Sequence, residues 1–228
     1  MNKLLNFIRE IKSLPKIEIE FEVDSQEKMN FYKQVTKPHP RYLVIKNKTV
    51  GVAIIKTGLY KKSDEYLKTV NGKNSAYYFS RKASKNGYLF KEINPNEFVD
   101  MIFDINTSLN ERQGIEMGNS YKEKISNYPL SDNFKYFGIF LGDKLVAYDW
   151  ILIYGELAII NRLLGHGGFL KDGIMYLLIT SSISNLIDSN INIKFVMYDT
   201  IFGASDGLRL FKKRLGFKPY LVKWRIKK

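Results

Sequence analysis

Ala158-Ile159-Ile160-Asn161-Arg162-Leu163-Leu164-Gly165-His166-Gly167-Gly168 is the stretch on which the reading of this chain turns. It is an apolar run of strand length that passes into a glycine-rich loop carrying Arg162 and His166. An apolar run of helix length follows, from about Phe169 to Asp188. A β-rich run, Ile193 to Asp199, comes next. A short amphipathic stretch then ends in Arg214-Leu215-Gly216-Phe217, with a last strand beyond it. Upstream, Phe134 to Tyr154 reads as a hairpin turning at Gly142-Asp143, a pair suited to a two-residue primed turn. The order is hairpin, strand, glycine loop, helix, strand, short helix, Gly-Phe, strand.

The residues before that block read as a further set of strands and helices. Leu4, Leu5 and Ile8 give Met1–Ile11 one apolar helical face. Arg9 and Glu10 interrupt it and Pro15 ends it, so an amphipathic helix fits better than a signal peptide. Ile17, Ile19, Phe21 and Val23 alternate with Glu18, Glu20 and Glu22, a half-buried strand with an acidic face. Asp24-Ser25-Gln26-Glu27 is a helix start, with the helix running to about Val35. Lys37-Pro38-His39-Pro40 is a rigid turn. Arg41–Ile55 reads as a second hairpin, turning at Asn47-Lys48 and echoing the one at Phe134–Tyr154. Helices are expected over Ser63–Val70 and Asn96–Asn106, a strand over Tyr88–Ile93 and a short helix at Tyr121–Ser126. No low-complexity linker divides the chain, so an N-terminal α/β lobe of residues 1–130 is expected to pack on a core of residues 131–228.

Composition narrows the chemistry. There is no cysteine, which removes disulfides and thiolate metal sites and makes a reducing cytoplasm the expected compartment. Only His39 and His166 offer imidazole, so no metal is expected. No apolar run reaches the ~18 residues of a membrane span. The 36 basic residues against 23 acidic give a net charge of +13. Such a field attracts polyanions: RNA, DNA, anionic lipid or a phosphate-bearing cofactor. The densest basic stretch is Lys212, Lys213, Arg214, Lys218, Lys223, Arg225, Lys227 and Lys228.

Gly207-Leu208-Arg209-Leu210-Phe211-Lys212-Lys213-Arg214-Leu215-Gly216-Phe217 resembles the last helix and following strand of the GNAT superfamily of acyl-CoA-dependent N-acyltransferases. The resemblance covers about Phe134 to Ile226. It implies an α/β (α+β) fold, a mixed and mostly antiparallel sheet flanked by helices. It also implies acetyl-CoA or another acyl-CoA as co-substrate, with a small-molecule or peptide amine as acceptor. The family's pyrophosphate loop, Gln/Arg-x-x-Gly-x-Gly/Ala, is matched by Arg162-Leu163-Leu164-Gly165-His166-Gly167. Glycines admit phosphate oxygens to backbone N–H groups, a helix N-terminus adds partial positive charge, and Arg162 adds a full one. A rival register, Gly173-Ile174-Met175-Tyr176-Leu177-Leu178, is similar to the Fem-like branch, aminoacyl-tRNA-dependent transferases with the same fold. It makes Gly165–Gly168 a plain turn and leaves the loop's chemistry to Lys171 and Asp172. Where the family often has a tyrosine as acid for the leaving thiolate, this chain has Lys212. Ser205-Asp206 stands where the family tends to place an asparagine and is a good N-cap.

Amide formation by direct attack needs a donor for the carbonyl oxygen, a base for the amine and a proton or cation for the leaving group. The donor is expected from a bulged strand N–H near Asn161 to Leu163. Asp149 shares a strand face with Leu145, Ala147, Ile151 and Ile153, where a carboxylate resists ionising and can become a base; the alternative is a structural pair. Tyr198 is a candidate proton donor and Asp199 a second base or a strand-end cap. His166 would contact phosphate or stay neutral and structural. Arg112, Gln113 and Tyr121 form a polar group that could hold the acceptor or be a surface connection. Tyr77, Tyr78, Phe79, Arg81 and Lys82 could stack on and clamp a nucleic acid, or be core aromatics beside a solvated basic face. Three functions remain open on the sequence: acyl-CoA-dependent N-acyl transfer, Fem-like aminoacyl transfer from tRNA, and non-catalytic RNA binding through the carboxyl-terminal basic stretch.

Overall fold

The computed structural model describes residues 9, 11, 13–40, 45–112, 114–189 and 191–227. Its centre is an eight-stranded mixed sheet: β1 (Lys16–Phe21), β2 (Val50–Ile55), β3 (Tyr88–Glu92), β6 (Phe134–Leu141), β7 (Lys144–Tyr154), β8 (Leu157–Gly165), β9 (Phe195–Thr200) and β10 (Lys218–Ile226). The spatial order is β1-β10-β2-β9-β8-β7-β6-β3. Only β1–β10 and β8–β9 are parallel pairs. A separate two-stranded ribbon joins β4 (Glu111–Arg112) to β5 (Ile115–Glu116).

The expected lobe and core share this sheet. β2 lies between β9 and β10, β1 extends the β10 edge and β3 extends the β6 edge. The expected hairpin at Arg41–Ile55 is replaced by a different pairing. Val50–Ile55 is a strand, but its two neighbours are β10 and β9. Arg41–Val44 lie outside the described residues, as does most of the N-terminal helix. The hairpin at Phe134–Tyr154 forms as expected, turning through Gly142 at φ 58°.

Helices cover both faces. On one face lie α2 (Ser63–Thr69), α3 (Ala76–Lys85), α6 (Ile174–Asp188) and α7 (Asp206–Arg214). They bury Tyr66, Ala83, Ile174, Leu178, Ile183 and Leu215 against Ile139, Ala147, Ile151 and Val196. On the other face, α1 (Gln26–Thr36) packs Phe31 and Val35 onto Phe21, Tyr154 and Trp224. α4 (Val99–Thr107) packs Ile102 and Ile105 onto Tyr136, Leu145 and Tyr148. A single turn, α5 (Asn119–Lys122), closes that side. The apolar run expected as one helix from Phe169 is divided. A 3-10 turn covers Gly167–Asp172, and Gly173 at φ 82° interrupts it before α6.

Alternation explains the fate of the basic carboxyl end. β1 turns Ile19 and Phe21 into the core and leaves its glutamates on the outer face. Parallel pairing sets Glu18 opposite Lys223 and Glu20 opposite Arg225. Glu18 pairs with both Lys223 and Arg225, and Glu22 pairs with Lys227. The β10 part of that run, Lys223, Arg225 and Lys227, is therefore paired and not free.

Candidate active site at the strand fork

β8 and β9 run in parallel and hold each other only at Leu157–Phe195, Ala158–Val196 and Ile159–Met197. Beyond those pairs β8 stays with β7 and β9 stays with β2, so the two strands diverge and open a fork. Each arm carries a bulge at its opening. On β8, Ile160 pairs with Ile151 and Arg162 with Trp150, leaving Asn161 as the extra residue. On β9, Met197 pairs with Ile54 and Thr200 with Val52, so Tyr198 and Asp199 face one residue of β2. Asp199 sits at φ 52°, left-handed backbone that a bulge imposes on few non-glycine residues. A bulged residue is set outside the regular ladder, and this bulge falls at Asn161, within the stretch where the donor is expected.

The fork opens onto a cleft of about 460 Å³ on the α1 side of the sheet. Phe31, Trp150, Tyr154, Asn161, Tyr198 and Asp199 line it. Asp199 is ion-paired with Lys48, which also lines the cleft. On the opposite side of the fork, α7 delivers Lys212. This side chain is 1% exposed. Its Nζ donates to Thr200 O at 2.8 Å and lies 4.4 Å from the centre of the Tyr198 ring. Burial lowers its pKa from 10.5 to about 8; Asp199 opposes that shift and Lys48 adds to it. Burial and the nearby Asp199 push the Tyr198 hydroxyl well above its ordinary value. Asn161, Tyr198, Asp199 and Lys212, picked out in the sequence separately, thus meet around one opening. Lys48, Trp150 and Phe31 were not anticipated, because they come from the segment before β2, from β7 and from α1, which only the folded sheet brings to the fork.

The glycine loop does not offer the expected amide cradle. His166 N–H donates to Val146 O at 2.8 Å, Gly167 N–H to Ser108 Oγ at 3.0 Å and Gly168 N–H to His166 Nδ1 at 3.1 Å. A β-carbon at Gly165 would stand 2.6 Å from Met175 Sδ, and one at Gly167 2.7 Å from Leu109 Cγ, so both glycines serve packing. Gly165–Gly168 is the plain turn that the rival register implies, and Gly173 offers no phosphate site in its place. Gly173 caps α6 without any side-chain bond. A β-carbon there would stand 2.9 Å from the Phe79 carbonyl oxygen of α3, a group that repels phosphate. Lys171 is exposed, and Asp172 accepts from the Tyr88 hydroxyl at 2.5 Å. Ser205 is the N-cap of α7, accepting from Leu208 N–H, which is a structural role.

Arg162 and Leu163 stand on β8 itself, short of the loop. The Arg162 guanidinium lies 4.7 Å from the Tyr121 ring centre and 6.0 Å from that of Trp150, and donates to Ser120 O at 3.3 Å. Arg112 is no acceptor ligand. It donates to Gly165 O at 2.8 Å and Ile105 O at 2.9 Å, fastening the loop to α4. Gln113 lies outside the described residues. Asp149 is fully buried on β7, one strand away from the fork. Its Oδ1 accepts from Phe137 N–H at 3.2 Å, and its Oδ2 is 2.6 Å from Ser182 Oγ. Burial raises its pKa to about 8. Ser182 Oγ donates to Asp149 Oδ2 and also reaches the Leu178 carbonyl at 2.8 Å. Asp149, expected as a base, ties β6, β7 and α6 together through these bonds.

Among the described residues no group of three or more His, Asp or Glu could hold a metal ion. No described helix is long and apolar enough to cross a membrane. No family model matches the sequence, and no curated protein matches it. Solved structures do match the fold. FemX is 13% identical, with a TM-score of 0.61, over 96% of this chain and 74% of its own. The C-terminal DUF2156 domain of a protein named as a lysylphosphatidylglycerol synthetase from Agrobacterium fabrum is 12% identical, with a TM-score of 0.51, over 74% of this chain and 57% of its own. A GCN5-related N-acetyltransferase from Kribbella flavida is 11% identical with a TM-score of 0.45, and the chain spans 54% of its length. The fold is GNAT-like, of the form that FemX shares.

Proposed function

We propose that this protein is an acyltransferase acting at the β8–β9 fork, and that it takes an aminoacyl group from tRNA and passes it to an amine. The observation that carries this reading is the placement of Lys212, a buried amine of lowered pKa, behind a fork whose strands are both bulged. The acceptor amine would lie in the 460 Å³ cleft and attack the ester carbon. The carbonyl oxygen would accept from the bulge N–H at Asn161. As the new C–N bond forms and the C–O bond breaks, the departing ribose oxygen takes a proton from Lys212. Asp199, ion-paired with Lys48 at the cleft, would take the proton that the attacking amine loses, and solvent would restore the proton that Lys212 gives up. The hydrogen-bonded glycine loop and the Phe79 carbonyl over Gly173 favour a donor that needs no diphosphate cradle, against the acyl-CoA expected from the sequence.

A thermal-shift comparison tests the donor. A non-hydrolysable 3′-aminoacylamido adenosine is expected to raise the melting temperature, and acetyl-CoA is expected to leave it unchanged. A shift with acetyl-CoA and none with the adenosine analogue would return the reading to an acyl-CoA transferase.

A further inference from the structure

The net charge of +13 is unevenly placed. Residues 61–85 and 205–218 together hold twelve basic residues and three acidic ones, +9 of that total. These segments build α2, α3 and α7, which lie on one face of the sheet. Among the described residues, no ion pair involves either segment; the pairs all lie elsewhere. The rest of the surface therefore neutralises much of its own charge and this face does not.

The face has shape as well as charge. A groove of about 380 Å³ is lined by Asn71, Gly72, Tyr78, Arg81, Lys82 and Lys85. Tyr78 is 49% exposed, more than a core aromatic would be, and its ring is held edge-on by Phe79 at 5.3 Å. From the groove a chain of side-chain contacts leads towards Lys212. Phe79 stacks on Tyr176 at 5.1 Å, and the Arg214 guanidinium lies 5.3 Å from the Phe79 ring centre. Arg214 Nη1 donates to the Tyr176 hydroxyl at 3.1 Å. The Tyr176 ring is 4.9 Å from that of Phe211, the neighbour of Lys212.

We infer that this face is the docking surface for the RNA that carries the donor, an assignment that rests on the proposed use of an RNA-borne ester. Phosphates of the stem lie on Arg81, Lys82 and Lys85, Tyr78 stacks on an unpaired base, and the 3′ end passes Arg214 to reach Lys212. Unpaired cations beside an exposed aromatic ring suit a single strand, because phosphates need charge and bases need a flat apolar partner.

The test is anisotropy binding of labelled, uncharged tRNA to the full chain. Arg81→Glu/Lys82→Glu/Lys85→Glu is compared with Lys33→Glu/Lys37→Glu/Lys46→Glu, a change of equal charge on exposed residues outside the two segments. The first triple is expected to weaken binding about tenfold or more and to flatten the salt dependence by about two to three contacts. The second is expected to leave both nearly unchanged. Tyr78→Ala is expected to weaken a short single strand about tenfold, and Tyr78→Phe is expected to retain it. Equal losses from both triples would overturn the surface. So would a first triple that binds tRNA normally but no longer binds phosphatidylglycerol vesicles. Failure of the reading of the fork looks different: tRNA binding still depends on α3, yet no aminoacyl group is transferred.

Discussion

Lys212 is costly where it stands. It is 1% exposed, it has one hydrogen bond to a carbonyl, and burial holds its pKa near 8 against an ordinary 10.5. A lysine with a depressed pKa destabilises the fold while it stays charged, so its contribution improves as pH rises from about 8 towards 10.5. Lys212→Met is therefore expected not to lower the melting temperature at neutral pH, while transfer falls at least ~100-fold. Transfer by the native chain is expected to decline above about pH 8, as Lys212 loses the proton it donates. Asp149 titrates in the opposite sense. Its pKa is raised from 3.8 to about 8, so its stabilisation is complete below about pH 4 and is lost as pH climbs through 8. Asp149→Asn keeps the acceptor for Phe137 N–H and supplies a donor to Ser182. Urea titrations are expected to show a flatter fall in stability between pH 5 and 8 for this variant, by on the order of a few kcal/mol. The sequence shows Asp149 on an apolar face and Lys212 in the place of a tyrosine. It hides Ser182 and Thr200, whose contacts depend on how a helix layer settles on the sheet.

The element that decides the chemistry is the junction of β8, the glycine loop and α6. Strand, loop and helix are legible from apolar periodicity and glycine spacing. What the loop amides bond to is not, because Ser108 and Val146 come from α4's end and from β7. Gly173 shows the same limit. Its φ of 82° favours glycine, and the Phe79 carbonyl leaves no room for a side chain. Gly173→Ala is expected to cost about 2 kcal/mol or more, measured by chemical denaturation. Equal stability of the two proteins would mean that α3 can withdraw and that a phosphate site can open there. β2 carries a further lesson. Its alternation marks a strand, but period-two patterning says nothing about neighbours. The turn-like Asn47-Lys48 suggested a hairpin where long-range pairing with β9 and β10 prevails.

At the scale of the molecule, one sheet unites strands from both ends of the chain, and its two sides divide the work. The α1 side holds the cleft at the fork, and the side of α2, α3, α6 and α7 carries positive charge without ion pairs among the described residues. Net charge was readable from composition, but its location was not. Cations along β10 that look free in sequence are neutralised by Glu18 and Glu22 of the β1 segment. Among the described residues, those on α3 and α7 form no ion pair.

The most direct test of the fork is transfer itself. Radiolabelled aminoacyl-tRNA and, separately, labelled acetyl-CoA are incubated with a pool of amine acceptors and either the native chain or Lys212→Met. The expected result is alkali-stable label in amide linkage from aminoacyl-tRNA with the native chain alone. Amide formed from acetyl-CoA instead, or formed equally well by Lys212→Met, would contradict the assignment of the fork and its buried amine.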